Sequence, residues 1–153
     1  MTWNSSQVNV IAALALAMPL SVAAQQARPE PHRQLLMIAL DNLGRARCEG
    51  DQPCAPATAE ERATPPITDD QARAVVEAGG ISVVAQHWGL DWQRRNFEPL
   101  MKHHRARLKM SERQLALVSL LHGITMGFVG ESVRRTPCSA ELKVASEKRL
   151  IAP

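Results

Sequence analysis

The sequence predicts an all-α fold, a small bundle of about five or six helices around one long, glycine-containing central helix. Apolar residues recur at helical spacing in several segments, which is the pattern of amphipathic helices. Two capping boxes, TDDQ and SERQ, mark helix starts. No segment of useful length alternates apolar and polar residues as a half-buried strand does. A chain of 153 residues is expected to form one domain.

The first helix is expected to begin at Pro31, because the fixed φ of proline suits the first helical turn. Four apolar residues then recur on one side of it: Leu36, Ala39, Leu40 and Leu43. Residues 48–67 contain four prolines and many small polar residues. This composition predicts a loop with one short turn around AEER.

The second helix is expected to start at Thr68, whose hydroxyl and the side chain of Gln71 can satisfy free backbone donors. Gly79 and Gly80 are expected to end it. A further short helix is then expected to run to Gly89, where a left-handed cap costs little.

A basic helix is predicted over residues 92–109, WQRRNFEPLMKHHRARLK. Pro99 either kinks this helix or lies in its true first turn. Five basic side chains share the polar face: Arg94, Arg95, Lys102, Arg105 and Lys109. This face is a candidate binding surface for an anionic partner, although solvated helix faces often have the same composition.

The most hydrophobic segment, residues 115–133, follows the SERQ box. Ser119, Gly123 and Gly127 fall four residues apart, so they lie on one side of a helix. Each glycine costs about 1 kcal/mol relative to alanine in a helix interior, so a compensating role is expected. The favoured interpretation is a packing groove for a crossing helix. A ligand pocket and a homodimer interface are the alternatives. A membrane span is not expected, because the apolar stretch ends at Val129 and a span needs about 20 residues.

Residues 1–24 are interpreted as a cleaved signal peptide, and residues 25–153 as a single helical domain that ends in a short amphipathic helix. The first segment has no charged side chain, an apolar run from Val8 to Leu20, and small residues up to Ala24. We therefore expect a periplasmic or secreted protein without a transmembrane span after cleavage. A retained membrane anchor is the alternative interpretation.

An oxidising compartment allows one disulfide among Cys48, Cys54 and Cys138 and leaves one thiol over. The favoured pair is Cys48 with Cys54, because Gly50 and Pro53 help the chain to turn between them. Pairing of either residue with Cys138 is the alternative, since a longer closed loop restricts the unfolded chain more.

Two histidines are candidate metal ligands. His104 lies on the apolar side of the basic helix and His122 in the most hydrophobic segment, so the two meet if these helices pack antiparallel. The competing interpretation makes each a hydrogen-bonded core residue. There is no CxxCH motif for attached haem and no zinc-ligand spacing, so no cofactor is expected.

No constellation of residues predicts catalysis, so an enzyme is not the favoured interpretation. The scarcity of aromatic rings disfavours stacking on nucleic acid. The sequence indicates an exported binding module of the inhibitor or immunity type. Its expected partner is another exported protein or an anionic envelope component. The alternative function is a periplasmic metal-binding protein that uses His104 and His122.

Overall fold

The computed structural model describes residues 30–137 and 139–151, and these form the all-α bundle that the sequence predicts. No strand occurs within this part of the chain. Its helices are α1 (Pro31–Asp41), α2 (Ala59–Ala63), α3 (Asp69–His87), α4 (Glu98–Ala106), α5 (Glu112–Arg134) and α6 (Ala140–Ile151). The interpretations of residues 1–24 as a signal peptide and of Cys138 as the leftover thiol fall outside the described residues.

Helix α1 begins at Pro31 as expected, and its apolar stripe supplies one wall of the core. The stripe residues are all buried: Leu36, Ala39, Leu40 and Leu43. They pack against α5 and α3. Asn42 ends the helix, and a 3-10 turn, Leu43–Arg45, leads into the loop.

The proline-rich loop is fastened to the start of α5 by one arginine. Arg113 donates to both carboxylate oxygens of Glu61, at 2.7 Å each, and to the carbonyl oxygen of Ala55 at 2.8 Å. Hydrogen bonds from Arg113 lower the pKa of Glu61 to about 2. Glu61 also completes a capping box with Thr58 at the start of α2, so the predicted turn around AEER is a short helix.

Helix α3 starts at the capping box of Thr68 and Gln71 that the sequence predicts. The prediction that Gly79 and Gly80 end the helix is wrong, because α3 continues unbroken to His87. Tertiary packing overrides the low helix propensity of glycine here. Gly89, with φ of 70°, follows the end of the helix in the left-handed conformation that glycine tolerates.

The predicted basic helix changes from π-helical to α-helical geometry just before its proline. A π-helical turn, Gln93–Phe97, precedes α4, which begins at Glu98 with Pro99 in its first turn. Phe97 and Glu98 both have right-handed helical backbone angles, so the π-helical turn runs directly into α4. Pro99 is in the first turn of the α-helical part, and helical backbone continues on its N-terminal side.

Helix α5 starts at the predicted capping box of Ser111 and Gln114 and is the longest helix described. It packs against α1, α3 and α4. It is long and apolar enough to cross a membrane, and the buried core helices of globular proteins also meet this criterion. Five of its large side chains are 2 % exposed or less: Leu115, Leu117, Val118, Leu121 and His122.

Candidate functional site

The row of small residues on α5 faces outward. An added Cβ at Gly123 or Gly127 would meet no atom within 4 Å. The prediction of a helix-packing groove at Ser119, Gly123 and Gly127 is therefore wrong for the helices described. The core side of α5 is its opposite side, which carries Leu117 and Leu121.

The close helix crossing lies instead at Gly79 of α3. A Cβ on Gly79 would stand 2.8 Å from Cβ of Thr125 and 3.0 Å from the carbonyl oxygen of His122. Real Cβ atoms do not approach other atoms so closely, so only glycine lets α3 and α5 meet at this distance. Close helix packing was expected to offset the cost of the glycines in α5. It occurs instead at Gly79 of α3, which was expected to end a helix.

Three of the five candidate partner-binding arginines and lysines are paired within the protein. Arg94 contacts Asp91 at 3.1 Å, and Arg105 contacts Glu112 at 3.1 Å. Arg95 is three-quarters buried and donates to the Glu147 carboxylate at 3.2 Å, which ties the π-helical turn to α6. Arg95 is therefore a structural residue, and its pairing removes it from a binding surface.

The other basic side chains lie in α4 and in the turn between α4 and α5. Lys102, Arg107 and Lys109 are exposed and make no ion pair with any acidic side chain in the described chain. Leu108 lies among them with 40 % of its surface exposed. We call Lys102, Arg107 and Lys109 the basic corner. Arg107 was seen in the sequence but was not among the candidate binding residues.

His104 is buried and forms a hydrogen bond through Nδ1 with the carbonyl oxygen of Leu100, at 2.8 Å. This is a contact within one turn of α4, so the imidazole caps a backbone acceptor of its own helix. His122 has different partners on α3 and on the π-helical turn. Within residues 30–137 and 139–151, no three His, Cys, Asp or Glu side chains converge as metal ligands.

His122 belongs to a buried polar chain. Nε2 of His122 lies 2.9 Å from Oγ of Ser82. Asn96 Nδ2 donates to the same hydroxyl and to the carbonyl oxygen of Ala78, both at 2.8 Å. An amide nitrogen only donates, so the Ser82 oxygen accepts from Asn96. The hydroxyl can still either donate to Nε2 of His122 or accept from it, depending on the imidazole tautomer.

Aromatic rings enclose the other side of His122. The ring of Trp92 stacks on the imidazole with centroids 5.9 Å apart, and Phe97 lies at 4.8 Å. Burial lowers the pKa of His122 to about 4, because a charged imidazole in apolar surroundings loses its hydration. The residue is thus held neutral at physiological pH.

The Ser82–His122 pair has the spacing of a nucleophile and its general base. Ser82 is fully buried and His122 is 2 % exposed, so a substrate has no path to the hydroxyl. The pair and Asn96 therefore act as an internal clamp among α3, α5 and the π-helical turn. Neither Ser82 nor Asn96 was identified from the sequence, since a single serine in a helix carries no signal of its partner.

Cys48 and Cys54, the pair favoured from the sequence, are joined by a disulfide, with Cα atoms 5.0 Å apart. Cys54 N–H donates to the carbonyl oxygen of Ala46, and Cys48 N–H donates to that of Gln52. These two bonds form the antiparallel bridge between Arg47 and Pro53, and with the disulfide they fix the loop beside α5.

Comparison with protein-family models, curated proteins and solved structures gives no match for this chain.

Proposed function

We propose that the protein is an exported helical binding module that docks an acidic partner on its basic corner. The partner is another exported protein or an anionic component of the cell envelope. The observation that carries the proposal is the group of unpaired cations, Lys102, Arg107 and Lys109, on one short stretch of chain.

Charge arrangement supports this surface over the rest of the basic segment. Arg94, Arg95 and Arg105 already have carboxylate partners, so a ligand gains less from them. Clustered unpaired charges of one sign attract an oppositely charged partner over distances of about 8 Å at physiological ionic strength. Leu108, between Arg107 and Lys109 in the chain, is exposed and offers an apolar contact.

A binding role is favoured over catalysis because the one nucleophile–base pair in the described residues is sealed in the core. A small module of this kind suits an inhibitor or an immunity protein, which acts by occupying a surface of another exported protein. Such a role needs a rigid face and no reaction centre.

The test is a charge reversal with a matched control. Lys102→Glu, Arg107→Glu and Lys109→Glu together reverse the basic corner. Lys143→Glu, Lys148→Glu and Arg149→Glu together change the net charge equally on α6, where these residues are also exposed. Tagged wild type and both variants are cross-linked in the envelope fraction, and captured partners are identified by mass spectrometry.

We expect the basic-corner variant to lose the captured partner and the α6 variant to keep it. Raising the salt concentration should release the partner from the wild type, because exposed charges are screened. Equal capture by all three proteins, or equal loss in both variants, would contradict docking at the basic corner.

A further inference from the structure

A groove of about 530 Å³ lies between the disulfide loop and the outward side of α5. It falls within the range of roughly 300–1,000 Å³ that small-molecule sites occupy. Six residues line most of it: Ala46, Arg47, Ser119, Leu120, Gly123 and Ile124. It is separate from the basic corner, and a ligand site here does not depend on the proposed function.

Gly123 keeps this groove open. An added Cβ at this position would meet no protein atom within 4 Å, so its side would face the groove. Glycine lowers the stability of a helix interior, and no neighbouring helix compensates for it here. Two small residues of the row, Ser119 and Gly123, line the groove and leave space in it for a ligand.

The groove wall has the chemistry of an amphiphile site. Leu120, Ile124 and the alanines make it apolar, and Arg47 is the one charged residue among those that line it. The Arg47 side chain is 65 % exposed, and its nearest carboxylate oxygen, on Asp51, is 4.0 Å from Nε. Nη1 of Arg47 also donates to the carbonyl oxygen of Asp51 at 3.1 Å. Asp51 is 90 % exposed, so these contacts hold the guanidinium weakly and its other N–H groups can donate to a ligand.

The disulfide loop holds the cation in place. Cys54 N–H bonds to Ala46 on one side of Arg47, and Cys48 N–H bonds to Gln52 on the other. These two bonds make up the antiparallel bridge between Arg47 and Pro53. A cation on a fixed backbone loses less freedom when it binds, which favours affinity.

We infer that the groove binds a fatty carboxylate, with the acyl chain along α5 at Gly123 and the carboxylate on Arg47. An apolar wall with a single cation matches an apolar chain with a single anionic end. The proposed ligand is thus a free fatty acid. Binding to an anionic lipid vesicle or to a second copy of the protein would be a different result, and the test distinguishes these.

The experiment is calorimetric titration with decanoate and with 1-decanol, both below aggregation, on the full mature protein. The variants are Gly123→Leu, which fills the groove, and Arg47→Gln, which removes the cation. Gly127→Leu is the matched control one turn away: its Cβ also meets nothing within 4 Å, and it is outside the groove lining. Circular dichroism verifies that each variant is folded.

We expect wild type to bind decanoate at least tenfold more tightly than decanol. Arg47→Gln should remove that preference, Gly123→Leu should weaken both ligands at least tenfold, and Gly127→Leu should bind within twofold of wild type. The inference is overturned if Gly123→Leu binds as wild type does or if Arg47→Gln keeps the preference. Binding only to phosphatidylglycerol vesicles, or a dimer that Gly123→Leu dissociates without any decanoate binding, would also overturn it.

Discussion

Glycines on the two sides of α5 have opposite surroundings. On the core side, Gly79 of α3 sits against Thr125 so closely that one added methyl group has no room. On the outward side, Gly123 and Gly127 of α5 face space without a neighbouring atom within 4 Å. The same residue type therefore permits a close helix crossing in one place and leaves a surface open in the other.

The difference shows that a glycine row does not reveal its use without the orientation of its helix. A row at four-residue spacing fits both a packed crossing and an open groove, because both require small side chains on one helix face. Only the partner across the interface distinguishes them. Four experiments compare how the two sides of α5 contribute to stability. They follow from the largest expected effect to the smallest.

Gly79→Leu should lower the free energy of unfolding by about 3 kcal/mol or more. The added side chain must displace Thr125 or force the helices apart, and overpacking of a dense core typically costs about 1–3 kcal/mol before any larger rearrangement. Chemical denaturation measures the change. The control is Gly80→Leu, the next residue, whose Cβ would meet nothing within 4 Å. Equal losses in the two variants would show that α3 and α5 do not cross at Gly79.

Acid should destabilise the core side through His122. Its pKa is about 4 in the folded protein and about 6.5 unfolded, so the unfolded state binds more protons between these values and stability falls as pH falls. At about 1.4 kcal/mol per pKa unit, the loss from pH 7 to pH 4.5 is about 2–3 kcal/mol. Urea unfolding across this range measures it.

A His122→Gln variant isolates this effect, because its stability should vary much less with pH over the same range even if it is lower throughout. Glu61 does not interfere, since its lowered pKa places its own loss of stability below pH 4.5. A wild-type curve with the same slope as the variant would exclude a buried neutral imidazole.

On the outward side, replacing Cys48 and Cys54 together by serine should lower stability by about 2 kcal/mol. The disulfide closes a short loop, and the chain-entropy model gives about this value for six or seven residues. Thermal unfolding compares the variant with wild type. Wild type under reducing conditions should lose a similar amount, and a loss in only one of the two comparisons would show that the serine side chains themselves disturb the loop.

The smallest effect is expected at Gly123→Leu, which should raise stability by up to about 1 kcal/mol. Leucine has the higher helix propensity, and its side chain enters open space. A helix packed against Gly123, as the sequence predicted, would instead make this substitution destabilising, because leucine would overpack the contact. A lower melting temperature than wild type would restore the crossing helix.

Local signals in the sequence predicted most of the helix starts. The capping boxes at Thr68 and Ser111 and the proline of α1 act over three or four residues, so they need no knowledge of the fold. The expectation that Gly79 and Gly80 end the helix was wrong. The low helix propensity of glycine costs less than the packing of α3 against α5 at Gly79 contributes. The apolar stripe of α1 was identified because every member faces the same core.

The candidate sites were harder to predict because their partners are distant in sequence. Arg95 appears in the sequence as one of several exposed cations, and its partner Glu147 lies on another helix. The bond between Ser82 and His122 joins residues 40 positions apart. The groove at Gly123 depends on Arg47, which belongs to a loop with no helical period to orient it.

The position of α5 in the chain also bears on when the protein folds. Helices α1 and α3 both pack on α5, which begins only at Glu112. A ribosome releases the chain from its N-terminus at about 5–20 residues per second, so the earlier helices wait seconds for their main packing partner. The core therefore closes only after most of the chain has been synthesised.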